Sequence, residues 1–199
     1  MLLRLKMKNI KNIFIEGDKI YLRPLEIDDI DGNYKAWLND PEIVKLNSHG
    51  RYPVSISMLK EYVNRVKYSE SAIVLAIIHK KANKHIGNIS LQSINLIDRN
   101  AEIAFLLGEK SFWSSGIMFE AGSLLIDHGF NKLNLHRIHC GTSSENHAMQ
   151  KLALKLGMSK EGEKEDFIFK YGTRLELLKE SNMHVDGLLN SIKKIKNSF

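Results

Sequence analysis

The sequence predicts a mixed α/β domain with a central, mostly antiparallel sheet flanked by helices, and three observations carry that reading. Two stretches of helical period lie between residues 28 and 68, three short β-branched runs with turn-sized polar gaps follow between 73 and 107, and beyond 117 helical and extended stretches alternate. The 199 residues are 43% apolar and 26% charged with three prolines, which describes one globular domain, long enough to bury a core without metal or disulfides.

Each element has a local reason. Residues 19–24 (KIYLRP) alternate in period two and stop at a proline, as a first strand does. Residues 28–39 set Ile30, Tyr34, Trp37 and Leu38 at helical spacing before the break at Asp40-Pro41, and residues 57–68 set Met58, Leu59, Tyr62, Val63 and Val66 on one stripe. The runs 73–79, 85–93 and 100–107 read as an antiparallel meander joined by the polar turns 80–84 and 98–100. A helix over 117–130 closing near Gly129, a strand over 137–141 and a helix over 146–156 closing at Gly157 come next. A hairpin, 163–170 and 173–179 around Tyr171-Gly172, ends the body. Residues 186–197 carry Leu188, Leu189, Ile192 and Ile195 on one helical face, which can pack on the body or on a second copy in a homodimer. The expected organisation is therefore a basic extension over 1–18, a folded body over 19–180, and an amphipathic helix or tail over 181–199.

The net charge of +6 is concentrated at the ends: residues 1–19 hold +3 and residues 179–199 hold +2. No basic stripe crosses the body, so nucleic acid is not an expected partner. The single cysteine, Cys140, cannot pair within the chain, and no apolar run is long enough for a membrane span, so the expected compartment is the cytoplasm.

Chemistry concentrates between residues 101 and 158. A strand ends at Leu107, a loop with Gly108, Ser114, Ser115 and Gly116 follows, and a helix starts at Ile117. Such a loop presents backbone N–H groups and the positive end of a helix dipole to an anion, typically a phosphate; it is also simply a strand-to-helix connection. Neither a Walker loop nor a GxGxxG accompanies it, which removes the usual support for ATP and nicotinamide chemistry.

The motifs IYLRPL, AEIAFLL, WSSGIMFEA, LNLHRI and SENHAMQKLALKLGM, in this order over about residues 19–179, resemble the GNAT superfamily of acyl-CoA-dependent N-acyltransferases. The branch is similar to the ribosomal-protein N-terminal acetyltransferases of the RimJ and RimL type. The resemblance implies a sheet splayed where the coenzyme enters, and acetyl transfer from acetyl-CoA, as co-substrate, to a primary amine without a covalent enzyme intermediate. It implies that the backbones of Leu106 and Leu107 run beside the pantetheine arm and that the amides of Ser114, Ser115, Gly116, Ile117, Met118 and Phe119 hold the pyrophosphate. Asn146 matches the asparagine that meets the pantetheine or sulfur region, a role compatible with a helix cap. The branch commonly has Trp-Gly-x-Gly-x-Gly/Ala where this chain has Trp113, Ser114, Gly116 and Met118. Met118 is expected to crowd the pyrophosphate or reshape the adenine end, and Trp113 to cover the coenzyme or anchor the loop. Lys151 and Lys155 sit four apart on one helix, either near the coenzyme phosphates or on a solvated face.

Glu102 is the candidate general base. It shares a strand face with Ala104 and Leu106, and a carboxylate can take the proton of an attacking amine directly or through water. The alternative is a surface or salt-bridged glutamate. Many family members carry a tyrosine in the second coenzyme helix to protonate the leaving thiolate; the matching residue is Ala153, which leaves Ser143, Ser144, solvent and, more distantly, Tyr171 as acid candidates. His136 and His139 do not make a metal site, no metal is expected, and Cys140 reads as a small core residue. The acceptor, which can be a protein N-terminus, an amino sugar, a polyamine or an antibiotic, is expected against the wall formed by residues 28–68, with Trp37, His49, Arg51 and Tyr52 as possible contacts. The rival readings are a non-catalytic acyl-CoA-binding sensor on the same fold and an RNA-associated protein using its basic ends.

Overall fold

The computed structural model describes residues 12–47, 49–170 and 173–183. Strands β1 (Ile15–Glu16), β2 (Ile20–Pro24), β3 (Ile73–His79), β4 (Lys84–Asn95) and β5 (Asn100–Leu107) pair antiparallel in chain order. β6 (Arg137–Ser143) joins β5 in parallel, β8 (Thr173–Met183) pairs β6 antiparallel, and β7 (Ser159–Lys170) closes the far edge of one eight-stranded sheet. The expected mixed α/β domain with a mostly antiparallel sheet is what forms. Among the described residues, no helix is long and apolar enough to cross a membrane.

Helices cover both faces, and the strand alternation decides which side chains meet them. On one face α4 (Ile117–Asn131) and α5 (His147–Lys155) bring Ala121, Leu125, Ile126 and Ala153 onto Leu22, Ile77, Leu91, Ile103 and Ile138. On the other, a π-helical turn (Ile30–Tyr34), α1 (Lys35–Asn39) and α3 (Ile56–Lys67) bring Ile30, Tyr34, Trp37, Leu59 and Val63 onto Tyr21, Ala76, Ile78 and Leu106. Glu120, in the first turn of α4, accepts from the amides of Lys19 (2.9 Å) and Ile20 (3.4 Å), which ties that helix to the start of β2.

Several boundaries differ from the sequence reading for identifiable reasons. The stretch 28–39 is broken at Gly32 (φ −84°, ψ −148°), so it forms short turns before α1 rather than one helix. Asp40-Pro41, read as a break, starts α2 (Pro41–Val44): the Asp40 carboxylate accepts from the Glu42 and Ile43 amides, with proline at the first helical position. Gly129 lies inside α4 instead of closing it. A Cβ there would meet Ile138 Cδ1 at 2.7 Å, so this glycine lets the helix approach β6. Pairing reaches outward to Ile15 and to Met183, so the sheet takes in residues assigned by sequence to the two end segments. Tyr171 and the amphipathic stretch 186–197 lie outside the described residues.

One irregularity shapes the domain. β5 and β6 pair only at Asn100↔Arg137, Ala101↔Ile138 and Glu102↔His139. Arg99 clamps this end: its Nε donates to the Asn134 carbonyl (2.7 Å), an Nη to Asn134 Oδ1 (2.8 Å), and its own carbonyl accepts from the His136 and Arg137 amides. Beyond Glu102, β5 stays on β4 as far as Gly87↔Leu107, whereas β6 stays on β8 as far as Ser143↔Leu177. The two strands therefore part like a wedge.

Gly87 holds the β5 side of the wedge, because a Cβ there would come within 2.3 Å of the Leu106 carbonyl and 3.1 Å of Leu107 Cα. Backbone cannot yield as a side-chain tip can. Gly87→Ala is expected to cost about 1–3 kcal/mol in thermal or denaturant unfolding. Gly162→Ala, whose Cβ would meet nothing within 4 Å, should stay within about 0.5 kcal/mol of the parent. Equal stability of the two variants would contradict the close approach at Gly87.

Candidate active site

The wedge opens into a cavity of about 1140 Å³. Its sheet side is formed by Asn88, Ser90 and Gln92 of β4, by Glu102 and the following residues of β5 as far as Leu106, and by Cys140, Gly141, Thr142 and Ser143 of β6. Asn146 and Met149 line it from α5, and Tyr34, Met58, Tyr62 and Arg65 line it from the helical wall. Asn88, Ser90 and Gln92 alternate along a central strand, opposite Leu106, Ala104 and Glu102 in register. Sequence reasoning missed this polar row. The signal was present in HIGNISLQS: polar residues in period two on a strand covered on both faces cannot all face bulk water, so they face one another or a cavity.

A buried polar chain runs under the helical wall. Arg23 donates to both Asp29 oxygens (2.8 and 2.6 Å), Asp29 also accepts from the Glu26 amide (2.8 Å), and His85 Nδ1 lies 3.4 Å from Asp29 Oδ1. The other ring nitrogen, Nε2, faces the Gly87 carbonyl (3.0 Å) and Asn88 Oδ1 (2.8 Å). Burial alone would raise the Asp29 carboxyl, but Arg23, His85 and the Glu26 amide together outweigh it and hold its pKa below the ordinary value. Burial depresses the His85 imidazole, opposed only in part by Asp29 and Asn88. Burial drives the Tyr34 phenol far up; it lies near enough to the Asn88 amide to be influenced by it, yet Asn88 Nδ2 completes no hydrogen bond.

The helical wall is fastened to the end of β5 through Glu109. Its carboxylate accepts from Asn33 (2.6 Å), Trp37 Nε1 (3.3 Å) and Lys84 (2.6 Å), and the Trp37 ring occupies the space where a Gly108 side chain would stand. Trp37 is thus buried structure and not a cavity contact. His49 and Arg51 do line the cavity, whereas Tyr52 is exposed outside it.

The loop before α4 has two left-handed residues, Ser114 (φ 59°) and Gly116 (φ 82°), the latter capping the helix. A Cβ at Gly116 would meet nothing within 4 Å, so conformation and not space calls for glycine there. Ser115 N–H is engaged by the Phe112 carbonyl and Phe119 N–H by Gly116, which takes two amides out of the anion-binding set inferred from sequence. The amides of Ser114, Gly116, Ile117 and Met118 have no backbone acceptor among the described residues. The Trp113 indole N–H donates to the Leu107 carbonyl (3.0 Å), tying the loop to the end of β5.

The sequence and the overall fold have counterparts among known proteins. The sequence profile of the acetyltransferase (GNAT) domain matches residues 19–159. The chain belongs to the GNAT acetyltransferase family. It is similar to an uncharacterised N-acetyltransferase of Bacillus licheniformis, 31% identical over 153 residues, covering 75% of this chain and 84% of that one. Its fold is similar to the spermidine N-acetyltransferase of Vibrio cholerae solved with CoA and spermine (TM-score 0.79, 22% identity, 86% and 99% of the two chains covered). It is also similar to RimL, a ribosomal L7/L12 α-N-protein acetyltransferase solved with coenzyme A (TM-score 0.78, 18% identity, 86% and 97% covered). The protein is accordingly an acetyl-CoA-dependent N-acetyltransferase, and the sensor reading gives way to an enzyme.

Within this GNAT domain Glu102, Leu106, Ser143 and Asn146 come together on one cavity. Asn146 also caps α5, its Oδ1 accepting from the Met149 amide (3.2 Å). Ser144 points elsewhere: its amide donates to the Glu176 carbonyl (3.0 Å) and its side chain bonds the Glu176 carboxyl, leaving Ser143 as the cavity hydroxyl of the pair. Ala153 is fully buried in the core, and Cys140, also buried, has its Sγ 3.6 Å from Met158 Sδ. Lys151 and Lys155 are exposed on α5 and do not line the cavity. Met118 is partly buried and packs against the core beneath α4.

Two outcomes follow for the loop. Ser114→Gly removes the left-handed penalty of a residue with Cβ and should raise stability by up to about 1 kcal/mol without weakening acetyl-CoA binding. Met118→Ala should lower stability, by about 1–3 kcal/mol given its partial burial, and leave coenzyme affinity no tighter. Tighter binding by an equally stable Met118→Ala protein, read by calorimetry, would support the crowding role.

The polar chain predicts an acid-sensitive fold. Asp29 and His85 each have a folded pKa below the ordinary value, so between the two values the unfolded chain binds a proton that the folded chain does not; their stabilisation is present above the ordinary value and lost as pH falls. His85 enters its window first, below its ordinary 6.5, and Asp29 only below 3.8. Tm should begin to drop as pH falls through about 6.5, and His85→Gln should flatten that drop. A variant whose Tm tracks the parent throughout would remove His85 from the account.

Proposed function

We propose that a primary amine attacks the acetyl carbonyl of acetyl-CoA directly inside the wedge, with Glu102 as the proton acceptor. The new C–N bond forms, the C–S bond breaks, the amine proton passes to Glu102 directly or through one water, and the coenzyme leaves with its sulfur. The observation that carries this reading is Glu102 itself. It occupies the last paired position before β5 and β6 part, lines the cavity, and has no hydrogen-bond or ion-pair partner among the described residues. A salt-bridged strand glutamate would lack that freedom.

The rest of the site is consistent with the same chemistry. The edge of β5 beyond Glu102 is without a neighbouring strand and suits the amide-bearing pantetheine arm, while the four amides without a backbone acceptor at the start of α4 suit its phosphates. Asn146 stands at the cavity where the thioester would lie, and Ser143 is the hydroxyl that can protonate the leaving sulfur. A thiol with a reference pKa of about 8.5 leaves readily enough that no stronger acid is required.

An amine with a pKa of about 8 to about 10.4 is mostly protonated at neutral pH, so removing its proton limits the attack. Glu102→Gln keeps the shape but not the basicity. It should lower kcat/KM for the amine by about 10²–10⁴ at neutral pH, recover in part as rising pH deprotonates the free amine, and leave acetyl-CoA affinity unchanged. Parent-like turnover across that range would take Glu102 out of the chemistry, and lost coenzyme binding would make it structural.

A further inference from the structure

The helical side of the cavity carries three cations without an anionic partner. Lys45, Arg51 and Arg65 line it, all exposed, and none joins an ion pair among the described residues; Arg65 lies over the Tyr62 ring, 5.8 Å from its centroid. Against them stand Glu61, on the same helix as Arg65, and Glu102. His49 also lines this side. If Glu102 serves as the base, the charge facing the body of an acceptor is positive.

The floor beneath has the matching polarity. Asn88 is 6% exposed, and its Nδ2 is a buried donor beside the Tyr34 phenol that completes no hydrogen bond among the described residues, while its Oδ1 faces His85 Nε2. An unmet buried N–H is costly unless a ligand oxygen satisfies it. Gln92 is spoken for in part, donating to Ser90 Oγ (2.9 Å). The buried unmet group of the floor is thus a donor, and the exposed side chains above it are cationic.

A polyamine suits neither feature, since its protonated nitrogens accept no hydrogen bond and repel Lys45, Arg51 and Arg65. We propose that the acceptor is a primary amine on an anionic body, with a carbonyl or hydroxyl oxygen near the amine to meet Asn88 and a carboxylate or phosphate farther out to meet Lys45, Arg51 and Arg65. This rests on the reading of the cavity as the acceptor site. Asn88 selects for the oxygen and the three cations for the charge.

The test is turnover by the full-length protein with acetyl-CoA and five amines: the tripeptide amides Ala-Glu-Glu and Ala-Gln-Gln, glucosamine phosphate and glucosamine, and spermidine. Each anionic compound should exceed its neutral counterpart roughly tenfold in kcat/KM, with spermidine last, and the margin should shrink as salt screens the exposed cations. The peptide and sugar pairs separate the two sources of the anion. Reversing charge with Arg51→Glu and Lys45→Glu together should erase the margin while acetyl-CoA affinity and Tm stay near the parent. Asn88→Leu should raise KM for all four oxygen-bearing amines more than for spermidine. Preference for spermidine or for the neutral counterparts, or a margin untouched by charge reversal, overturns the inference and leaves amine acetylation standing. No turnover of any of the five overturns the transfer reading and this inference with it.

Discussion

β5 and β6 share a ladder at three positions, 100–102 against 137–139, and then part while the outer edge of each stays on its other neighbour. β4 holds β5 to Leu107 and β8 holds β6 to Ser143. A sheet that stayed closed here would satisfy more backbone groups internally; one that parts leaves N–H and C=O groups that water or a ligand must meet. The open edge, the cavity and the position of Glu102 at the hinge of the wedge all descend from that one departure from regular pairing. Arg99 and its contacts to Asn134 hold the closed end together, so the opening has a fixed origin.

The face opposite α4 and α5 is organised by polar groups as much as by apolar ones. Arg23, Asp29, His85 and Asn88 form a continuous chain across β2, the first helical turn and β4, directly beneath Tyr34 and Trp37. Removing one member would strand a buried charge or dipole, which costs far more than the net worth of a paired one. Directional contacts of this kind fix how the helical wall sits over the sheet, where apolar packing alone would tolerate sliding. Glu109 does the same at the other end of the wall, gathering Asn33, Trp37 and Lys84 at the end of β5.

Most of the fold was legible because periodicity is local. β3, β5, α4, α5 and the stripe of Ile30, Tyr34, Trp37 and Leu38 follow from spacing alone. What was illegible depended on tertiary approach. Gly129 looks like a helix stop until β6 is known to press against it, and Asp40-Pro41 looks like an interruption until its carboxylate is seen capping a new turn. The site divided in the same way. Glu102 and Asn146 lie within recognisable motifs and Ser143 immediately precedes one, whereas Tyr34, Asn88 and Arg65 become neighbours only when the helical wall folds over β4. The loop was half legible: its helix start was visible, but the internal engagement of the Ser115 and Phe119 amides and the left-handed Ser114 were not.

The anchoring of Trp113 gives the protein an intrinsic optical reporter. The chain has two tryptophans, and they sit in opposite surroundings: Trp37 is 3% exposed beneath the helical wall, while Trp113 is 40% exposed with its indole on the Leu107 carbonyl. Emission from the first reports the integrity of the fold. Emission from the second reports polarity at the junction of loop and strand, and collisional quenchers in solvent reach it far more readily. A red-shifted, quencher-sensitive component therefore belongs to the loop, and its response to added coenzyme can be followed in the unmodified protein without any attached dye.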